Sequence, residues 1–165
     1  MEEWKQIIDY PNYSISNLGN VRNDKTGRIL KLSLNTKGYY QVNLCNNSKS
    51  KRLIIHRLVG IYFIEKKDEK YEIDHIDRNK INNHYTNLRW VTRSENQQNK
   101  SKFKNTISKY KGAYKSGNKW RCMINHKNVG KKHLGYFDTE EEAGKAYNKF
   151  IIENNLGEFC ELNNL

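Results

Sequence analysis

Acidic residues are scarce in the middle of this chain. From residue 100 to residue 133 there are eleven lysines and arginines and no aspartate or glutamate, and between residues 78 and 132 the only acid is Glu95. A solvated protein face normally mixes charges of both signs, so this pattern indicates a polyanionic partner. Tyr110, Tyr114 and Trp120 are interleaved with lysines in strand-like segments, which favours nucleic acid over a membrane surface.

Cysteines and long hydrophobic runs are also few. The three cysteines are widely spaced and form no C-x-x-C pair, so neither a disulfide framework nor a zinc ribbon is predicted: Cys45, Cys122 and Cys160. The apolar run at 53–64 is interrupted by His56 and Arg57 and is too short to span a bilayer. The N-terminus lacks the charged and apolar regions of a signal peptide. We therefore expect a soluble intracellular protein, with His56 as a satisfied packing residue.

The pattern along the chain predicts an α+β protein with modest cores, because only 36% of its 165 residues are hydrophobic. Residues 1–64 are predicted to form a module with a small antiparallel sheet, followed by strand, loop, strand and helix at 65–99. A basic linker is expected at 100–109, and a three-stranded antiparallel sheet packed on one helix at 110–165. Lysines near the first sheet are consistent with entry into a major groove or with a solvated face.

The C-terminal segment has well-marked boundaries. Strands are predicted at 111–114, 119–125 and 131–136, and Thr139 with Glu142 predicts a capping box at the start of a helix. Apolar residues then recur with helical spacing and predict a core-facing stripe: Ala143, Ala146, Tyr147, Phe150 and Ile151. The other face of the sheet is left for lysines and aromatic residues.

The most informative residues are Asp74-His75, Asn87 and Asn96. Eleven residues separate His75 from Asn87, and eight separate Asn87 from Asn96. Strands are predicted at 71–76 and 88–91, with an asparagine-rich loop between them. Thr92 and Glu95 predict a capping box that places Asn96 one turn into a helix. A carboxylate, an imidazole and two carboxamides are thus expected on one strand–loop–strand–helix element.

These residue types suit hydrolysis of a phosphodiester. Asp74 and the amide oxygen of Asn96 are suitable ligands for one Mg²⁺ or Mn²⁺ ion. His75, with an unperturbed pKa of about 6.5, could take a proton from water near neutral pH. Asn87 could hold either the imidazole or the loop in register. Each residue alone has an ordinary structural explanation, and only the joint spacing favours the catalytic interpretation.

The stretch from Asp74-His75 to Asn96 resembles the HNH nuclease motif, the ββα-metal finger, in the variant of phage and intron homing endonucleases. Residues 4–20 and Ile55-His56-Arg57-Leu58-Val59 resemble the nuclease-associated modular domain that precedes such motifs. The resemblance implies that Asp74 and Asn96 bind the metal, that His75 is the general base and that Asn87 positions it. Arg89 and Arg93 flank the finger, as phosphate contacts or as solvated surface charges.

The C-terminal segment resembles the plant-type Apetala-2 DNA-binding domain. The resemblance rests on Tyr110-Lys111-Gly112-Ala113, on Lys119-Trp120-Arg121, on the run from Leu134 to Ala143 and on Ala146-Tyr147. Such domains place their sheet in the major groove, and the implied DNA contacts are Lys111, Tyr114, Lys115, Trp120, Arg121, Lys131 and His133. Lysine donates as a point charge, so bidentate reading of guanine is not implied at the lysine positions.

Together the resemblances imply a site-directed, metal-dependent DNA endonuclease of the homing type that works in a phage- or virus-infected host. One nuclease motif implies a monomer that nicks one strand of double-stranded DNA, with no organic cofactor and no membrane partner. Two alternatives stay open. One is a DNA-binding regulator with an inactive nuclease site. The other is an RNA-directed protein in which Tyr114 and Trp120 stack on bases.

Overall fold

The computed structural model describes residues 1–66, 70–99 and 108–165. These residues form two compact units, Met1–Arg93 and Ser94–Leu165, and each unit is described by itself. The grouping is coarser than the four segments expected from the sequence, whose boundaries stay a prediction. Most of the expected basic linker, at residues 100–107, lies outside the described residues.

The first unit begins with an antiparallel sheet in the order β1-β2-β3, formed by β1 (Trp4–Ile7), β2 (Tyr10–Ser16) and β3 (Val21–Asn23). Between β2 and β3 the chain turns at Gly19, whose φ of +88° lies in the left-handed region that glycine tolerates. Ile15 pairs with Val21 across this turn, and both side chains are fully buried. The turn is therefore fixed to the core on both sides.

A second antiparallel sheet follows in the order β4-β5-β6, formed by β4 (Ser33–Leu34), β5 (Tyr40–Asn46) and β6 (Lys49–Ile54). Asn47 and Ser48 have φ values of 48° and 60°, as the two central residues of a type I′ hairpin turn require. The chain then enters helix α1 (Ile55–Phe63) directly. The small antiparallel sheet expected in this part of the chain thus consists of two three-stranded sheets.

A two-stranded antiparallel hairpin completes the first unit, with β7 (Glu72–His75), a 3₁₀ turn (Tyr85–Asn87) and β8 (Leu88–Val91). These strands confirm the two that the sequence predicts. α1 packs closely on β7, because a Cβ added at Gly60 would lie 2.2 Å from Cδ1 of Ile73. Leu88 belongs to the same buried cluster as Ile15 and Ile55, so one core supports both sheets, the helix and the hairpin.

Helix α2 (Arg93–Asn99) follows the hairpin, and the second unit continues with β9 (Ala113–Ser116), β10 (Lys119–His126), β11 (Gly130–Phe137) and helix α3 (Glu140–Glu153). The sheet order β11-β10-β9 places β10 in the centre. The capping box is present, since the Glu142 amide donates to Oγ1 of Thr139 at 3.2 Å and the Thr139 amide donates to Oε2 of Glu142 at 3.1 Å. The small antiparallel sheets and separate helices of the two units confirm the α+β fold class.

The predicted stripe on α3 lies against the sheet. Ala143 and Ile151 are fully buried and Tyr147 nearly so, while Ala146 and Phe150 pack around the same cluster. The opposite side of this cluster is formed by Cys122 and Ile124 of β10. Within the described residues, no helix has the length and apolar character needed to cross a membrane.

Candidate active site

Asp74 and His75 are consecutive residues at the end of β7, so their side chains project to opposite faces of the hairpin. Asp74 stands directly across from Arg89 of β8. Nη2 and Nε of Arg89 lie 3.3 and 3.4 Å from Oδ2 of Asp74, with the two side chains 16% and 11% exposed. The predicted metal ligand is thus a mostly buried carboxylate that attracts a cationic neighbour, and the predicted phosphate contact Arg89 is that neighbour.

His75 lies on the inner face and is only 4% exposed. Its Nε2 is 3.1 Å from Oδ1 of Asn83. Two rings surround the imidazole: Tyr39 stacks on it with centroids 6.0 Å apart, and His56 meets it edge-on at 4.9 Å. The contact with Asn83 and the two aromatic neighbours therefore hold the imidazole in place.

Burial lowers the pKa of His75, because a charged imidazolium is costly away from water. The hydrogen bond to Asn83 and the negative charges of Asp74 and Asp77 oppose that shift, and the charge of Lys80 adds to it. The net lowering keeps His75 neutral at physiological pH. A neutral imidazole is the form that can accept a proton.

Asn87 binds the loop between the strands. Its Nδ2 donates to Oδ1 of Asp77 and to the Asn82 carbonyl, both at 2.9 Å, and its Oδ1 accepts from the Asp77 amide at 3.1 Å. Partial burial alone would raise the pKa of Asp77, but hydrogen bonds from Asn82, Asn87 and the Asn79 amide lower it overall. Of the two roles open to Asn87 from the sequence, these contacts correspond to holding the loop.

The remaining finger residues lie at and beyond the start of α2. Arg93 is exposed, and Asn96 is half-buried within the second unit. Glu95 is buried and forms an ion pair with Lys127, which lies in the turn that follows β10. This acid therefore has a structural partner inside its own unit. The metal-binding role of Asn96 and the Thr92 capping box stay predictions.

The C-terminal sheet has an exposed face of mixed aromatic and basic character. Cys122 and Ile124 point from β10 towards α3, so the alternate residues of β10 point the other way. Arg121 stands across from Tyr114 on one side and Tyr136 on the other, and the two tyrosine side chains are exposed. Further along the same face, His133 stands across from Met123 and Lys131 across from Asn125. Four predicted DNA contacts therefore share one surface: Tyr114, Arg121, Lys131 and His133.

Three other predicted DNA contacts have partners within the protein. Nζ of Lys111 lies 3.2 Å from Oε2 of Glu161, and the lysine side chain is 14% exposed. Trp120 packs against the buried cluster on the α3 side of the sheet, and Nζ of Lys115 lies 4.9 Å from the centre of its ring. Lys115 and Trp120 thus lie on the opposite face of the sheet from Arg121, and Lys111 is paired with Glu161.

Asn83 and His56, two of the residues beside His75, were not assigned to the site by sequence reasoning. Asn83 was interpreted as part of a polar loop, and nothing distinguished it from its neighbour Asn82. His56 was expected to be a satisfied packing residue. It is buried as expected, but its Nδ1 has no hydrogen-bond partner among the residues that the structure describes. The signal for His56 in the sequence was a histidine at the start of α1, within an otherwise apolar segment.

Comparison with protein families identifies the class of this site. Residues 54–98 match the HNH endonuclease family, and residues 2–45 match the NUMOD4 motif. The HNH match includes Asp74, His75, Asn87 and Asn96. The chain therefore contains a segment that matches the HNH endonuclease family, preceded by one that matches the NUMOD4 motif, as the resemblance implied.

Two of the proteins to which this chain is similar come from bacteriophages. The DNA endonuclease I-HmuI of Bacillus phage SP01 is 44% identical over 98 residues, which are 59% of this chain and 56% of that protein. The H-N-H endonuclease F-TflII of Escherichia phage T5 is 29% identical over 145 residues, 87% of this chain and 70% of the relative. The solved structure entitled DNA binding and cleavage by the HNH homing endonuclease I-HmuI matches with a TM-score of 0.56 over 59% of this chain and 56% of that one. The chain thus spans little more than half the length of I-HmuI.

Proposed function

We propose that this protein is a site-directed, metal-dependent DNA endonuclease of the homing type, which hydrolyses one phosphodiester bond at a time. The observation that carries the proposal is His75, a buried imidazole that follows Asp74 at the end of β7, within a segment that matches the HNH endonuclease family. I-HmuI, which is 44% identical over the shared region, is named a DNA endonuclease. Mobility of an intron or of an intergenic element is the biological role that accompanies this activity.

His75 acts as the general base and removes a proton from the attacking water. Asn87 maintains the loop between β7 and β8 through Asp77, and so fixes the end of the strand that carries the base. Arg89 and Arg93 contact phosphates next to the cleaved bond. The products of this reaction are a 5′-phosphate and a 3′-hydroxyl.

By the resemblance to the HNH motif, Asp74 and Asn96 would hold one divalent ion. The donor set fits a hard cation, since a carboxylate and an amide both offer oxygen ligands, and Asp74 already attracts one cationic group, the guanidinium of Arg89. When bound, Mg²⁺ or Mn²⁺ supplies charge neutralisation on the phosphate and stabilises the leaving oxygen.

The second unit supplies affinity for double-stranded DNA. The strand order β11-β10-β9 and the capped helix α3 support the likeness to an Apetala-2 domain, whose sheet enters the major groove. We assign the direct contacts to the exposed face defined by Tyr114, Arg121, Lys131 and His133. Lys111, Lys115 and Trp120 shape this unit through their internal contacts. The protein acts as a monomer and nicks one strand.

A nicking assay on supercoiled plasmid tests the catalytic assignment. Wild type, His75→Ala and a matched His84→Asn control are incubated with Mg²⁺ or Mn²⁺, with EDTA as the metal-free arm. His84 lies in the same loop and caps the 3₁₀ turn, a role that asparagine preserves. We expect metal-dependent open circles from wild type and from the control, and none from His75→Ala.

The plasmids carry a library of host-genome fragments, because the amino-acid sequence does not specify which DNA sequence is cut. Binding is measured on the same DNA by gel shift. If all three proteins bind and none nicks with either metal across the whole host genome, the endonuclease proposal is wrong and a DNA-binding regulator takes its place.

A further inference from the structure

The side chain of Asn83 makes a polar contact with His75. Its Oδ1 lies 3.1 Å from Nε2 of His75, and the asparagine is 5% exposed, so water does not readily replace this contact. Nδ2 of Asn83 lies 3.3 Å from the carbonyl oxygen of Ile81. A carbonyl oxygen only accepts hydrogen bonds, so the donating nitrogen of the amide must face Ile81 and the oxygen must face His75.

This orientation determines where the proton of the neutral imidazole resides. Because Oδ1 of Asn83 can only accept, Nε2 of His75 must donate. In a neutral imidazole with the proton on Nε2, Nδ1 is the basic nitrogen. The contact therefore selects one of the two tautomers, the one in which Nδ1 can take a proton from water.

Asn83 is itself held in place by the NUMOD4 segment. A Cβ added at Gly19 would lie 2.8 Å from Cβ of Asn83, so the turn between β2 and β3 presses directly on this residue. The Tyr85 amide donates to the Asn17 carbonyl of the same turn at 2.9 Å. The N-terminal motif thus restrains the loop on both sides of His84.

We propose that Asn83 is the positioning residue for the general base, and that it fixes His75 in the Nε2-protonated tautomer with the support of the Gly19 turn. This inference rests on the proposed function for its catalytic meaning, but the tautomer itself is a property of the folded protein without DNA or metal. Asn83 and Asn87 then have separate roles. Asn83 orients the imidazole, and Asn87 maintains the loop.

The tautomer is measured by two-bond ¹H–¹⁵N correlation spectra of the full chain labelled with ¹⁵N-histidine, at a pH where imidazoles are neutral. The sequence contains five histidines, and the signals of His75 are those lost in His75→Gln. We expect the Nε2-protonated pattern for His75 in wild type. A wild-type spectrum with the proton on Nδ1 would overturn the proposal without any variant at Asn83.

Two variants of similar size separate positioning from packing. Asn83→Leu removes the acceptor, and Asn83→Asp keeps an acceptor towards Nε2. We expect Asn83→Leu to populate the Nδ1-protonated tautomer and to slow single-turnover cleavage at least tenfold, with the dissociation constant for DNA changed less than about twofold, because general-base catalysis contributes about 100- to 10,000-fold. Asn83→Asp is expected to restore both the tautomer and most of the rate.

The failures are distinguishable. If wild type never cleaves DNA but shows the Nε2-protonated tautomer, and Asn83→Leu loses it, the positioning role stands and the proposed function fails. If a folded Asn83→Leu retains the wild-type tautomer, the positioning role is wrong whatever the cleavage assay shows. If Asn83→Leu does not fold, the wild-type and Asn83→Asp spectra still decide the tautomer.

Discussion

Acidification should destabilise the first unit through His56. This side chain is buried next to His75 and Tyr39, with ring centroids 4.9 and 4.8 Å away, and Arg57 adds a positive charge nearby. Burial, the neighbouring His75 and Arg57 lower the pKa of His56 to about 3. In the unfolded chain the same group has a pKa of about 6.5.

The sign follows from the two protonation states. Because the folded-state pKa lies below the unfolded one, the unfolded chain binds the extra proton as the pH falls below about 6.5. The stability contributed by neutral His56 is complete above that pH and is lost progressively as the pH falls towards the folded pKa. Each pH unit in this window costs about 1.4 kcal/mol, so the loss at pH 5 is about 2 kcal/mol. This is a large part of a typical domain stability of about 5–15 kcal/mol.

The test compares wild type with His56→Leu between pH 7.5 and pH 5.0. Urea unfolding is followed by tryptophan fluorescence in a Trp120→Phe background, so that the signal comes from Trp4 and Trp90 of the first unit. His75 also has a lowered pKa and destabilises both proteins on acidification. The difference between the two proteins isolates His56.

We expect the free energy of unfolding of His56→Leu to gain about 2 kcal/mol relative to wild type between these pH values. The leucine variant has one fewer group that the unfolded chain can protonate. A difference that stays constant from pH 7.5 to pH 5.0 would refute the reasoning, because it would mean that His56 binds its proton equally in both states.

Three further predictions follow from single contacts. Gly60→Ala should cost about 1–3 kcal/mol in urea unfolding, because the new Cβ would lie 2.2 Å from Cδ1 of Ile73; an unchanged midpoint would contradict the close packing of α1 on β7. Thr139→Ala should destabilise the second unit by about 1 kcal/mol through loss of the capping box, a change that hydrogen exchange in α3 would detect or exclude. Arg121→Ala should weaken DNA binding in EDTA and lower the salt dependence by about one phosphate contact, whereas Lys145→Ala, on the exposed face of α3, should change neither. If the two substitutions have equal effects, the exposed sheet face is not part of the DNA interface.

Local patterns in the sequence were sufficient for the elements themselves. Alternation and turn residues predicted the strands of the second unit, and the Thr139–Glu142 pair predicted the start of α3, because capping is decided by residues three positions apart. The strands at Glu72–His75 and Leu88–Val91 were predicted for the same reason. The resemblance to the HNH motif could be found from Asp74, His75, Asn87 and Asn96 because they lie within 23 consecutive residues, a spacing that a single chain segment carries without reference to its fold.

Which side of an element a residue faces was harder to predict. Trp120 and Arg121 are adjacent in the sequence and both suit a DNA surface, but the pleat sends one towards the core and the other outward. Lys111 was equally plausible as a DNA contact until the fold brought Glu161 to it from fifty residues further along the chain. Local composition does not encode partners at that separation.

The sequence alone determined the chemical inventory of this protein: a basic chain, an HNH motif with a carboxylate and an imidazole side by side, and the helices and strands that carry them. Only the tertiary structure decided how that inventory is used. In the folded protein Asn83, and not its neighbour Asn82, contacts His75, because the Gly19 turn, sixty-four residues earlier in the chain, packs against Asn83. Folding also brings His56 and Tyr39 next to the imidazole of His75. The burial and the tautomer of His75 therefore depend on groups that meet only when the chain has folded.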